Sequence, residues 1–384
     1  MELSYVIITP YSIRKSRTGG ILSRILSRSG LELAAARMFA PSHALVEEFA
    51  AASTPESNQK HQLTQELLRE YILKKFAPDA DNVRQRVLLL VLRGEDAVQQ
   101  TRAVAGHIVH ERPRGETIRD TYGDYIVENG RVIYFEPAVL AAQDSETARK
   151  HLAIWAKYSD SDGGILDDCI PYPVGENIEK TLVLIKPDNF RFPNARLGGV
   201  VDLFSQAGLS IIGFKVHNLS VAEAEEFYRP VLEAMIARLT DSSGKRARLA
   251  LEQEFGIPLS SGTERQLGDL LGPIAGRSYW ESIIQFMAGT RPSDCAPEKR
   301  ALPGSEKCVA LVYQGVDAVL KIREVLGPTD PAKAPFGTIR REFGETIMVN
   351  AAHASDSLEN AKREMDIIRV AENNLKSLIH AYLS

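Results

Sequence analysis

Cysteine is scarce in this sequence: Cys169, Cys295 and Cys308 are its three, spread over 384 residues. That number and spacing exclude a disulfide framework and a cysteine-based zinc cluster, and a reducing, cytoplasmic setting is the expectation. Neither sign of charge dominates, with 46 Lys and Arg against 50 Asp and Glu and a net charge of −4. The chain therefore offers no electrostatic footprint for nucleic acid or for an anionic membrane. No apolar run approaches the roughly 20 residues of a membrane-spanning helix. Met1-Glu2-Leu3-Ser4 lacks a basic region followed by an apolar core, so no secretion signal is expected. What is present is ordinary: 44% hydrophobic and 25% charged residues, the composition of a soluble globular protein of about two or three domains.

The chain repeats itself. Tyr5-Val6-Ile7-Ile8-Thr9-Pro10 parallels Leu182-Val183-Leu184-Ile185-Lys186-Pro187, each an apolar strand stopped by proline. After each comes a Gly-Gly pair and a helical segment, Gly19 to Ser29 and Gly198 to Ala207, closed by Gly30 and Gly208 before a new strand. Glycine just past a helix is the usual left-handed cap. Further on, Val87–Leu92 parallels Val309–Tyr313, and Gly94-Glu95-Asp96-Ala97-Val98 parallels Gly315-Val316-Asp317-Ala318-Val319. Asp96 and Asp317 read as acids at helix N-termini. These helices end at Gly106 and Gly327, and an arginine, Arg119 or Arg340, stands thirteen residues beyond each. Glu146-Thr147-Ala148-Arg149-Lys150 matches Glu359-Asn360-Ala361-Lys362-Arg363. Two copies of one alternating strand-helix unit account for this order.

The copies are expected at 1–158 and 179–384, joined by a linker at 159–178 rich in Asp, Gly, Ser and Pro. The second carries a helical insertion at about 229–276, with helical segments at Val231–Leu239 and Arg246–Phe255 and the charged Asp241–Arg248 run as a solvated helix start. In the first copy, Gln65–Phe76 reads as a helix and Glu128-Asn129-Gly130 as a hairpin turn. His107 and His110 have helical spacing, but no Cys or carboxylate cluster beyond Glu111 joins them as a metal site.

The stretch from Val349 to Glu364 concentrates the chemistry. Ile347-Met348-Val349 reads as the end of a buried strand. From Ser357 the pattern is helical, with Leu358, Ala361, Met365 and Ile368 at three- and four-residue spacing. Asp356 followed by Glu359 is a capping-box pattern and places the helix start there. His353 is thus expected on a turn before a helix N-terminus, where unpaired N–H groups and partial positive charge favour phosphate. Held there, it is a candidate nucleophile toward phosphorus. Glu364, seven residues beyond Ser357 on the same helix face, is placed to orient the imidazole. A histidine at a helix start is by itself more often a capping or solvent-facing residue; its company elsewhere in the chain gives it weight.

That company is Ile185-Lys186-Pro187-Asp188, Gly337-Thr338-Ile339-Arg340 and Asn350-Ala351-Ala352-His353-Ala354-Ser355-Asp356-Ser357. In this order the second copy, from about Glu179 to Ser384, resembles the nucleoside diphosphate kinase family. The resemblance implies ping-pong transfer of the γ-phosphate of ATP or another nucleoside triphosphate to a nucleoside diphosphate, with His353 as the phosphorylated nucleophile. It implies Glu364 and Ser355 as the residues that orient and support it. Lys186, Arg323, Thr329, Arg340 and Asn350 match positions that contact the phosphates or the sugar. Tyr279 matches the aromatic that stacks on the base, with Ile347 opposite, and Tyr228 a tyrosine beside the phosphates. Mg²⁺ bridging the phosphate oxygens is implied as cofactor. Such a reaction needs positioning and cations, which arginines supply bidentately and lysine as a point charge.

The sequence departs from the family pattern at Asn189 and Ala354, where the family has glycines, and at Gly327-Pro328-Thr329-Asp330-Pro331; these bear on loop geometry. The first copy departs further: Thr9 replaces the lysine, Leu140 the histidine and Pro137 the asparagine, while Arg102 and Arg119 remain. That half is expected to be non-catalytic, a structural partner or a nucleotide-sensing site. The implied fold is α+β, two tandem ferredoxin-like βαββαβ sandwiches, each a four-stranded antiparallel sheet covered by helices. The implied assembly is a homo-oligomer or an internal pseudo-dimer. A nucleotide-binding regulatory or scaffold protein with little turnover is the alternative, and phosphorelay to protein side chains would use the same His353.

Overall fold

A computed structural model of the chain describes residues 1–53, 62–108, 115–129, 131–191 and 194–384. His110 and Gly130 lie outside the described residues. The described chain divides into two compact units, Met1–Val216 with Val309–Ser384, and His217–Cys308. Apart from His217 and Cys308, the residues of the two four-stranded sheets belong to the first unit.

The first copy opens with β1 (Glu2–Ile8), α1 (Pro10–Arg14), α2 (Thr18–Arg28) and β2 (Glu32–Phe39). Helices α3 (His43–Ala52) and α4 (Gln62–Lys75) follow, then β3 (Val87–Gly94), α5 (Ala97–Ala105) and α6 (Ile118–Tyr122). A ribbon of β4 (Asp124–Glu128) and β5 (Arg131–Glu136), with Glu128 opposite Arg131, precedes β6 (Val139–Ala141) and α7 (Ser145–Lys157). The four-stranded sheet has the order β2-β3-β1-β6, and its three pairings are antiparallel. Every residue of Val87–Leu92 is buried, which explains a continuous apolar run where alternation would mark a half-wet strand.

The second copy repeats this with β7 (Ile178–Ile185), α8 (Arg196–Phe204) and β8 (Ser210–His217). After the helical unit come β9 (Cys308–Val316), α11 (Ala318–Leu326), α12 (Ile339–Phe343), β10 (Ala352–Ala354), α13 (Leu358–Ile367) and α14 (Asn374–Leu383). The sheet order is β10-β7-β9-β8, the same ferredoxin-like arrangement of an α+β fold. Small details also recur. Asp96 and Asp317 both adopt left-handed backbone, φ 47° and 54°, and neither caps its helix with its own side chain. The cap comes instead from the preceding strand: Glu2 accepts from the Val98 N–H at 3.0 Å and Glu179 from the Val319 N–H at 3.2 Å.

Helix packing ties the copies together in more than one place. Helices α2 and α8 pack so closely that a Cβ on Gly19 would lie 2.4 Å from the Asp202 nitrogen. One on Gly198 would lie 2.2 Å from the Ser23 nitrogen. Gly19 corresponds to Gly198 and Ser23 to Asp202, so the contact is reciprocal, as across a two-fold axis. The second contact was not foreseen from the sequence: α14 leaves the second copy and buries Leu375 and Ile379 in the first copy's core, with Tyr5, Phe49 and Trp155. The segment between the copies is held by the Phe39–Gly163 bridge and by the Leu166 N–H, which donates to the Ile212 carbonyl at 2.9 Å.

The second unit is a helical hairpin. The two short helices expected near 231–255 are one, α9 (Val221–Phe255), and α10 (Ser261–Ala288) returns beside it. The Asp241–Arg248 run lies inside α9 rather than at a helix start, because the capping box of Ser220 and Glu223 starts the helix far upstream. Gly256 at φ +67° ends it. Gly268, Gly272 and Gly276 recur every fourth residue along α10, where added Cβ atoms would meet Thr240 and Ile236 of α9 within 2.8 Å. Close backbone approach, not bulky packing, joins this pair.

Candidate active site

Strand β10 carries His353, paired in register with Leu184 of β7. The strand is three residues long and begins after Ala351, whose φ is +67°. The expected strand at 347–349 is absent: those residues form bends, because the Asn350 side chain donates to the Ile347 and Thr329 carbonyls, at 2.9 and 3.0 Å, and turns the chain. His353 is therefore within a strand rather than on the turn before the helix. The helix also starts one residue later than expected. Ser357 is its N-cap, accepting from the Asn360 N–H at 3.1 Å, while Asp356 accepts from the Asn360 side chain at 2.6 Å.

Ser355 follows β10 directly, its N–H donating to the Leu182 carbonyl at 3.1 Å, and His353 and Ser355 both reach Glu364 of α13. One Glu364 oxygen accepts from His353 Nε2 at 2.9 Å and from the Ser355 hydroxyl at 2.6 Å. Ser355 and Glu364 are buried, while His353 keeps 24% of its side chain exposed. A carboxylate that accepts from Nε2 fixes the proton there, so in the neutral ring Nδ1 is the basic nitrogen.

The second cluster sits where β7 ends. Lys186 is buried and donates to Asn350 Oδ1 at 2.6 Å and to the Met348 carbonyl at 3.1 Å. Burial, with the Arg340 charge adding to it and Asp188 opposing, lowers its ammonium to about 7. Asp188 shifts the other way, raised by burial against the charges of Lys186 and Arg196. Arg340 of α12 donates to the Gly327 carbonyl at 3.0 Å and to the Ala352 carbonyl at 3.1 Å, next to His353. Arg323 lies in the last turn of α11; the Asn360 hydrogen bond, aided by the Arg323 charge, holds the Asp356 carboxyl below its usual range. Thr329 and Ile347 take part through their backbone carbonyls.

The structure thus brings together His353, Glu364 and Ser355, and joins Lys186 with Asn350, whose side chain ties in Thr329 and Ile347. Tyr228 and Tyr279 lie on α9 and α10 of the other unit; Tyr228 is buried, and its carbonyl accepts from the Trp280 indole at 2.8 Å. Asn189, read as a departure from the family glycine, has a task of its own. Its amide donates to the Lys186 and Ala351 carbonyls at 3.0 and 2.8 Å and pins the loop beneath Lys186. An amide side chain in a turn is a known device for this, so the signal was in the sequence.

The family model described as nucleoside diphosphate kinase matches residues 2–160 and 263–373, most of the chain. The chain belongs to the nucleoside diphosphate kinase family. A nucleoside diphosphate kinase of Chlamydia pneumoniae is 31% identical over 188 residues, 49% of this chain and 88% of the relative. One from Helicobacter pylori (strain Shi470) is 31% identical over 187 residues, 49% of this chain and 92% of the relative. Among solved structures, an NDP kinase from Pyrobaculum aerophilum is 27% identical, covering 51% of this chain and 100% of that one, with a TM-score of 0.34. Each such relative matches about half of this chain.

In the first copy, register places Leu140 opposite Ile7, as His353 stands opposite Leu184. Extending the helix match by one residue places His151 at the position of Glu364. That histidine is buried, its Nδ1 is 2.5 Å from the Tyr5 hydroxyl, and burial lowers its pKa to about 4. The match that ended at Lys150 could have found it.

Proposed function

We propose that the protein is a nucleoside diphosphate kinase working through a phosphohistidine on His353 of the second copy. The observation that carries this reading is the shared Glu364 oxygen that holds both His353 Nε2 and Ser355. With its proton on Nε2, the imidazole uses the Nδ1 lone pair to attack the γ-phosphorus. The bond from phosphorus to the bridging oxygen breaks, and the electron pair leaves on the diphosphate. Glu364 stabilises the charge the ring gains, and a second nucleoside diphosphate reverses the step. Lys186, Arg323, Arg340 and Asn350 bind the transferring phosphates, whose charge is spread over several oxygens. Mg²⁺ would come with the nucleotide as part of the substrate, since the described residues hold no group of three or more metal-ligating side chains and such sites use few protein ligands.

We further infer that the copies span 1–158 and 179–384 with the linker at 159–178, and that the reciprocal α2–α8 contact makes one chain an internal pseudo-dimer. The first copy is non-catalytic in this reading, since Leu140 cannot accept a phosphoryl group. Transfer of phosphate from ATP to GDP by the full chain tests the proposal, compared with His353→Gln. Turnover that survives in His353→Gln would refute it; nucleotide binding without turnover in the wild type would favour a regulatory protein.

A further inference from the structure

The first copy keeps a cleft although it lacks a nucleophile. A cavity of about 680 Å³ opens beside α5, α6 and β6, a volume in the range of small-molecule sites. A neighbouring cavity of about 430 Å³ shares Leu68, Arg119, Ala141 and Gln143 with it and reaches Leu140 and His151. Arg102 and Arg119 both line the larger cavity, and no Asp or Glu is among its described lining residues. Arg102 is fixed by donating to the Gln143 carbonyl at 2.7 Å. Arg119 donates to the Val139 carbonyl at 3.1 Å and to the Gly106 carbonyl, the contacts that Arg340 makes in the second copy. Burial, and after it the Arg102 charge against the opposing Tyr5, lowers Arg119 to about 10. Two like charges therefore face the larger cavity, whose described lining includes no carboxylate, while Asp144 and Glu146 line the neighbouring one; a polyanion in the larger cavity relieves the repulsion. Leu68 and Ile108 supply an apolar wall.

We propose that this cleft binds a nucleoside di- or triphosphate, its phosphates on Arg102 and Arg119 and its base on the apolar wall, and holds it unreacted because Leu140 stands where a nucleophile would be. This goes beyond the catalysis proposed for His353. Equilibrium dialysis of the full chain with Mg²⁺-ADP should count two nucleotides per chain in the wild type and one in Arg102→Glu. Amide exchange in the wild type should slow at 97–108 and 139–143 when ADP is added, a reading that stands even if the variant fails to fold. One ADP in both proteins, with no slowing in those segments, would overturn the proposal. Displacement by inorganic pyrophosphate as readily as by ADP would overturn its nucleoside part. Neither count depends on phosphorylation: if His353 takes no phosphate while the Arg102-dependent site persists, the proposed function falls and this inference stands.

Discussion

Leu140 and His353 occupy one position in two copies of the same sheet, each in a short strand that pairs with the first strand of its copy. The exchange is not isolated. Thr9 stands for Lys186, with the backbone contact kept: the Thr9 N–H donates to the Ala138 carbonyl as the Lys186 N–H does to that of Ala351. His151 stands for Glu364. Restoring one residue therefore does not restore the site. Leu140→His should take up no phosphate from Mg²⁺-ATP in a His353→Gln background, read by mass; uptake there would contradict this.

Glu364→Gln keeps the shape of the helix face but replaces a charged acceptor by an amide. The Nε2 proton then loses its carboxylate, and the rate of His353 phosphorylation should fall on the order of tenfold to a hundredfold, the scale on which metal-ligating histidines suffer when their orienting partner is removed. Rapid-quench single-turnover kinetics would measure it. An unchanged rate would remove Glu364 from the mechanism.

Lys186 gives the site a pH signature. Burial lowers its folded-state pKa to about 7, against 10.5 for the free side chain. Between these values the unfolded chain binds a proton that the folded chain does not, so stability gains from this residue as pH rises through the window, and its burial is most unfavourable at and below pH 7. The advantage of Lys186→Met over wild type in urea unfolding should shrink from pH 7 to pH 10. Bound phosphates recharge Lys186, so nucleotide binding at pH 8 takes up about one proton and weakens by up to about tenfold per pH unit above 7. Calorimetry in two buffers of different ionisation heat checks this; zero uptake would contradict it.

The α2–α8 contact has no room for a methyl group. Gly198→Ala would place a Cβ 2.3 Å from the Gly19 carbonyl oxygen, and overpacking of this kind costs about 1–3 kcal/mol. Gly262→Ala is the control, since its Cβ would meet nothing closer than Ser260 Oγ at 3.5 Å. Urea midpoints should fall for the first and hold or rise for the second.

Much of this was legible in the sequence because the physics was local. Apolar runs stopped by Pro10 and Pro187 gave the first strands, and glycines at helix ends gave Gly30, Gly208, Gly106 and Gly327, each at positive φ. Glu364 reached His353 as its spacing allowed. What failed was set by side-chain and backbone contacts that apolar periodicity does not report. Asn350 bends 347–349 out of the sheet, and the glycines of α10 support a long hairpin whose partner helix the periodicity alone broke in two. Helix α14 was missed because its apolar face is matched by the other copy's core, which no local pattern reveals.

The central claim is most directly tested by the intact mass of the protein after brief exposure to Mg²⁺-ATP, for wild type and His353→Gln. The account predicts one acid-labile phosphate on the wild type, discharged by GDP, and none on the variant. Phosphate on His353→Gln, or none on either protein, would contradict it.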